Sequence, residues 1–245
     1  MLAFDLTGLP LELQKYVPVF ATVFSRMGTG RLSYEEMSER IAGATGSLSA
    51  GTFVGTHGQD SSLMLPYFTV SLKTLDSTFN TALDIVRELL TDLAFVEKAH
   101  LRDVLVQRKV RFQSSIIPNG HRFAAMHAAR TLSPEAALSE QWHGLPQLRL
   151  AATVANNFES EYDVLRTNLE AFREWLVTRA NLTVSFTGSS HLTQSAQDWV
   201  ADFMPVATAR QPRENYSTAR HDEEQTTPLR EGLIAAADVA FCSCA

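Results

Sequence analysis

Two stretches of strand-like alternation follow one another with no helix between them. Leu48, Ala50, Thr52 and Val54 recur at every second position, and LMLPYFTVSLK at 63–73 follows after the connection THGQDSS. Strands joined this closely pair antiparallel, because a parallel pair needs a crossover of a dozen or so residues. The connection is polar and longer than a tight turn, so a loose hairpin is expected. Around it the order is an extended start at MLAFDLTGLP, two helices, the strand pair, several helices, a strand at NLTVSFTG (181–188) and a closing helix. This grouping predicts an α+β fold of two layers, a mostly antiparallel sheet with helices packed on one face. A parallel nucleotide-binding fold would alternate strand and helix more strictly.

The helices are read from three- and four-residue apolar spacing. Leu11, Tyr16, Val19, Phe20, Val23, Phe24 and Met27 predict one helix, stopped by Gly28 and Gly30. Ser33 followed by Glu36 is a capping box for the next helix. Amphipathic helices are expected over 75–91 and 97–113. The charges of the second (Glu97, Lys98, Arg102, Asp103, Arg108, Lys109 and Arg111) read as a solvated face. SSIIPNGHRFA breaks the pattern, after which helices are expected over 121–132, 134–143 and 159–178, with Ser133-Pro134 as a cap and first-turn proline. The closing helix, SSHLTQSAQDWVADFM, is expected to be capped by Ser189 or Ser190.

Residues 206–229 are poor in large apolar side chains and rich in charge, Pro and Thr, which reads as a linker. Both ends of the chain look extended in mid-strand, so 1–205 is expected to be one domain and 230–245 the first strand of a truncated following domain. Cys242 and Cys244, two apart on that strand, are expected to be buried there. The charge balance of 21 basic against 27 acidic residues, −6 overall, argues against a general nucleic-acid partner. No apolar run approaches the roughly 20 residues needed to span a bilayer, so no membrane partner is expected. No targeting signal is read in the fragment, and the compartment stays open.

Little of the chain resembles catalytic machinery. GTGRLSYEE lacks phosphate-loop spacing, and Arg31 is not placed as that loop's lysine would be. FTGSSH lacks the G-x-S-x-G pattern, so its serines read as caps. His57, His100, His121, His127, His143, His191 and His221 are scattered, and no pair has H-E-x-x-H spacing. His121, beside Gly120, reads as a hydrogen-bonded helix-start residue. A hydrolase built on Ser189 or Ser190 with His191 is the weakest reading, because neighbours at a helix start rarely reach nucleophile-to-base geometry.

FDLTGLPLELQKYVPVFATVFSRMGTGRLSYEEMSERIAGATGSLSAG, together with IIPNGHRFAAMHAARTLSPEAALSEQWHGLPQL, resembles the presequence-protease branch of the insulinase (pitrilysin) zinc metallopeptidases. The resemblance covers about residues 1–205 and is to the domain opening the second half of those enzymes, with the tail from 230 similar to the start of the fourth domain. It implies two bowl-shaped halves enclosing a peptide-degrading chamber. Zinc is then held in the first domain by an inverted H-x-x-E-H motif and a further glutamate. Setting that motif's trailing Gly-Thr on Gly28-Thr29 puts Val19, Thr22 and Val23 where the first histidine, the glutamate and the second histidine would stand. None of the three can ligate zinc or move a proton. No catalytic and no metal residue is therefore expected in this chain, and no cofactor, with zinc bound by the missing N-terminal domain of the parent.

The resulting expectation is a non-catalytic C-terminal-half fragment of a zinc-dependent peptide-degrading metallopeptidase, forming part of the chamber wall. Its partners are the catalytic half of the same polypeptide and peptide substrates. The alternative is an inactive structural or peptide-binding homologue that assembles with a catalytic subunit.

Overall fold

The computed structural model describes residues 1–178, 181–203 and 241–244. In chain order the elements are β1 (Leu2–Asp5), α1 (Leu11–Gln14), α2 (Val17–Val23), α3 (Tyr34–Ala44), β2 (Ser47–His57), β3 (Asp60–Lys73), α4 (Phe79–Asp92) and α5 (Lys98–Ile116). There follow α6 (Gly120–Ala129), α7 (Pro134–His143), α8 (Leu145–Asn156), α9 (Phe158–Thr178), β4 (Leu182–Val184) and α10 (Thr193–Phe203). The strands form a four-stranded sheet in the order β2-β3-β1-β4, and every pairing is antiparallel. The expected α+β architecture is the one observed.

Alternation decides which face meets the helices. Leu2 and Phe4 of β1 and Met64, Phe68 and Val70 of β3 are buried, while Leu48, Ala50 and Val54 of β2 pack against them. The intervening residues point the other way: Phe53 is 53% exposed and stands opposite Tyr67, their ring centroids 6.4 Å apart. α2 and α7 cover β2 on the inner face. Phe20, fully buried on α2, joins the layers, with ring centroids 5.6 Å from Phe68 on β3, 5.0 Å from Phe172 on α9 and 6.2 Å from Phe95.

The single helix expected from residue 11 is instead two, α1 and α2, and Pro18 supplies the reason. Proline has no N–H for the carbonyl four residues back, and its ring crowds that carbonyl, so the helix ends at Gln14 and restarts at Val17 with Pro18 in its first turn. The carbonyls freed by the break are buried and need other donors. The Trp142 indole donates to the Gln14 carbonyl at 2.9 Å, and Gln147 Nε2 donates to the Lys15 carbonyl at 2.9 Å and to the Gln141 carbonyl at 3.1 Å. Trp142 and Gln147 are each 1% exposed, so water cannot substitute for them.

Other boundaries also differ from expectation. The hairpin closes through a tight two-residue turn at Gly58-Gln59, because pairing resumes beyond an irregularity between Thr56 and His57, with His57 opposite Asp60. α5 runs to Ile116 rather than stopping near 113, and α8 occupies a stretch with no helix expected. β4 is three residues long. The linker 206–229 and most of 230–245 lie outside the described residues. Within the latter, 241–244 carry no helix or strand, and Cys242 and Cys244 are exposed, since among the described residues no strand pairs with this stretch. The capping box is as expected: the Glu36 N–H donates to Ser33 Oγ at 3.3 Å and the Ser33 N–H to Glu36 Oε2 at 2.8 Å, which holds the Glu36 carboxyl below its usual range.

Two substitutions test this account. Phe20→Ala is expected to cost about 3–5 kcal/mol, read as a drop in the urea midpoint. Trp142→Phe keeps a ring but removes the indole donor to the Gln14 carbonyl, with an expected loss of about 1–3 kcal/mol in the same measurement.

Candidate functional site

The segment from α2 to α3 contains Val19, Thr22 and Val23, the three residues expected from the resemblance at the zinc-motif positions, and the fold separates them. Val19 and Val23, four apart on α2, are 3% and 0% exposed and belong to the core. Thr22 lies on another face of the helix, where its hydroxyl donates to the Pro18 carbonyl at 2.8 Å. A zinc site does not fit here. The side chains at these positions offer no imidazole or carboxylate, and among the described residues no three His, Cys, Asp or Glu side chains gather to hold a metal ion.

The glycine turn after α2 is tightly built. A Cβ on Gly28 would stand 2.3 Å from the Leu32 carbonyl oxygen and 2.7 Å from the Ser33 carbonyl carbon, both backbone atoms. The Gly28 carbonyl accepts from the Ala94 N–H at 3.0 Å, and the Gly30 N–H donates to the Asp92 carbonyl at 3.0 Å, so the turn is sewn to the end of α4. Thr29, 6% exposed, donates its hydroxyl to Glu88 Oε1 at 2.9 Å and accepts from the N–H groups of Arg31 and Leu32. Arg40 pairs with the other oxygen of Glu88, tying α3 to α4 beneath the turn. The Gly-Thr pair thus serves as a structural anchor.

Beside Thr22 lies a cavity of about 280 Å³ lined by Thr22, Arg26, Arg108, Arg111, Phe112 and Ser115. The last four sit at i, i+3, i+4 and i+7 on α5 and so share one helix face. The expected solvated face of α5 is only partly solvated. α8 packs along α5, and Arg108 Nη2 donates to buried Gln147 at 2.6 Å while Lys109 reaches Asn156 at 2.7 Å. Lys98 pairs with Glu159 at 2.6 Å, and the Glu97 carboxylate accepts from the Tyr34 N–H at the start of α3. Burial pushes the Arg108 guanidinium down to about 10, with no carboxylate holding it up. Without α8 this environment was not visible in the sequence, although Pro146 early in a helix was an available signal.

The remaining candidates are structural. Ser189 donates its hydroxyl to Asp76 at 2.6 Å rather than capping through it, and His191 Nε2 lies 3.7 Å from the same carboxylate. The serine hydroxyl is thus directed to a carboxylate and not to the neighbouring imidazole, so the serine–histidine pairing of a nucleophile and its base is not formed. His127 Nδ1 meets the buried Glu140 carboxylate at 2.8 Å, linking α6 to α7. His121 sits exposed at the start of α6, its ring centroid 6.2 Å from that of Phe241.

Comparison with known proteins adds the context that geometry lacks. The peptidase-associated family of metallopeptidase family 16, subfamily C, matches residues 1–153. The mitochondrial presequence protease of Danio rerio is 28% identical over 151 residues, 62% of this chain and 15% of that protein. Its counterpart in Xenopus tropicalis is 25% identical over 230 residues, 93% of this chain and 22% of that protein. The chain therefore spans a minor fraction of the length of the curated relatives it matches. A conserved protein from Enterococcus faecalis V583 shares the fold with a TM-score of 0.55 at 12% identity, over 86% of this chain and 48% of that one.

The turn yields a paired prediction. Gly28→Ala forces backbone apart and is expected to cost about 1–3 kcal/mol. Gly30→Ala meets only the movable Asp92 carboxylate, 2.9 Å away, and is expected to cost under about 1 kcal/mol. Urea denaturation of the two variants side by side checks the order.

Proposed function

The chain belongs to this peptidase-associated family, in the presequence-protease branch of the insulinase superfamily, and from that premise we propose that it is a non-catalytic portion of a larger zinc-dependent peptide-degrading metallopeptidase. It contributes part of the wall of the peptide chamber and supports the half that carries the metal. The carrying observation is the make-up of α2: the helix that precedes the Gly-Thr turn has Val19 and Val23 in the core and a threonine on its accessible side. In this proposal Val19, Thr22 and Val23 occupy the place of the zinc ligands and base. Zinc is held by another part of the parent polypeptide, with an H-x-x-E-H motif expected upstream.

The one-sided packing of the sheet supports the structural part of the proposal. Among the described residues helices pack on one face, while Phe53 and the half-buried Tyr67 stand on the other, the side the proposal turns towards the chamber or the partner half. Among the described residues no helix is long and apolar enough to cross a membrane.

Zinc titration by calorimetry and cleavage of a quenched fluorescent peptide test the proposal on the 245-residue chain. Neither stoichiometric tight zinc binding nor turnover is expected, and observing both overturns it. The coding sequence upstream separates the chamber-wall reading, which requires a zinc motif there, from that of a separately encoded inactive subunit.

A further inference from the structure

The cavity beside α2 has an unusual charge content. Three of its six lining residues are arginines, Arg26, Arg108 and Arg111, and none is acidic. Among the described residues none of the three forms an ion pair. Arg108 is the most constrained: one nitrogen meets the neutral oxygen of Gln147, its guanidinium lies 5.4 Å from the centre of the Phe112 ring, and its buried Nε has no hydrogen-bond partner. A half-buried cation such as Arg108, its Nε out of reach of water, is costly without a counter-charge, and grouping three cations around one space adds mutual repulsion. An anion entering the cavity relieves both.

The walls narrow the class of anion. The two hydroxyls in the lining are already donated to backbone carbonyls, Thr22 to Pro18 at 2.8 Å and Ser115 to Phe112 at 2.7 Å. Donors are therefore confined to the guanidinium groups, whose forked geometry matches the two oxygens of a carboxylate. The Phe112 ring supplies an apolar wall for an adjoining aliphatic group. A volume of about 280 Å³ falls just below the roughly 300–1,000 Å³ of pockets that enclose whole small ligands, which suits one residue and not a longer segment.

We propose that this cavity is a binding site for a peptide carboxylate, either a free C-terminus or an acidic side chain, held by Arg26, Arg108 and Arg111 beside Phe112. That the ligand is a peptide rests on the chamber reading above; that it is a carboxylate rests on the cavity alone. Peptides are then retained in the non-catalytic part of the chamber by their negatively charged ends or side chains.

Fluorescence polarisation with the full 245-residue chain tests this with three probes bearing an uncharged N-terminal dye: Gly-Ala-Leu as the free acid, the same peptide as the C-terminal amide, and Gly-Glu-Leu-amide. The free acid, the glutamate peptide or both are expected to bind at least about tenfold more tightly than the neutral amide, since hydrogen bonds between ionised partners are roughly twice as strong as neutral ones. The pair that binds identifies the source of the carboxylate. Arg111→Gln, at an exposed position, is expected to weaken that binding about tenfold with an unchanged melting curve. Arg26→Gln provides a second variant that leaves the buried Arg108–Gln147 contact in place. Equal binding of all three probes, no binding of any, or no effect of either variant overturns the proposal, as does binding displaced by inorganic phosphate but not by acetate. These readouts involve neither zinc nor turnover, so their failure leaves the assignment of a non-catalytic part standing, and failure of that assignment leaves the carboxylate site standing.

Discussion

The structure depends on how the backbone is satisfied where Pro18 interrupts the first helix. A broken helix inside a core exposes carbonyls that no solvent can reach, and each must be matched or the break is untenable. Here the matching donors come from residues more than a hundred positions later, Trp142 on α7 and Gln147 on α8. The same kink directs α2 across the sheet so that Phe20 meets β3, α9 and Phe95 together. Layer packing and backbone satisfaction are thus one problem with one solution. That is why an indole and an amide, Trp142 and Gln147, are buried at this junction.

Gln147 links this structural solution to the cavity. Its amide nitrogen holds the α1–α2 junction and its oxygen receives Arg108. The guanidinium is thereby fixed by the group that secures the fold, and rigid support of this kind is what a binding residue needs to keep its geometry. The turn at Gly28-Thr29 is a separate unit, sewn to α4 and Glu88, and it sets where α2 ends and α3 begins.

What was legible in the sequence was local. The Ser33–Glu36 capping box, the Ser133-Pro134 start and the alternation in β2 and β3 depend on neighbours a few residues away, and each was found where the pattern put it. What was not legible depended on distant partners. α8 buries Gln147, Ala151, Val154 and Ala155, a small and partly polar face that gives a weak periodic signal. With α8 unseen, Arg108 counted as a solvent residue and the cavity had no trace in the sequence. Pro18 did carry the information that one helix was two, but the continuous apolar spacing from Leu11 to Met27 masked it. At the α2 positions, composition could say what Val19, Thr22 and Val23 are unable to do. It could not say that only Thr22 escapes the core.

The place of β1 in the sheet bears on synthesis. Of the sheet's four strands it is made first, yet it lies inside the sheet with β3 on one side and β4, at residues 182–184, on the other. At about 5–20 residues per second, roughly ten to thirty-five seconds separate emergence of β1 from that of its last partner. Through that interval the nascent sheet has an open hydrogen-bonding edge, the kind of edge that recruits other chains. β4 is short, but its arrival covers the open side of β1, so the strand at the centre of the fold stays exposed longest and the finished sheet is left with β4 and β2 as its edges.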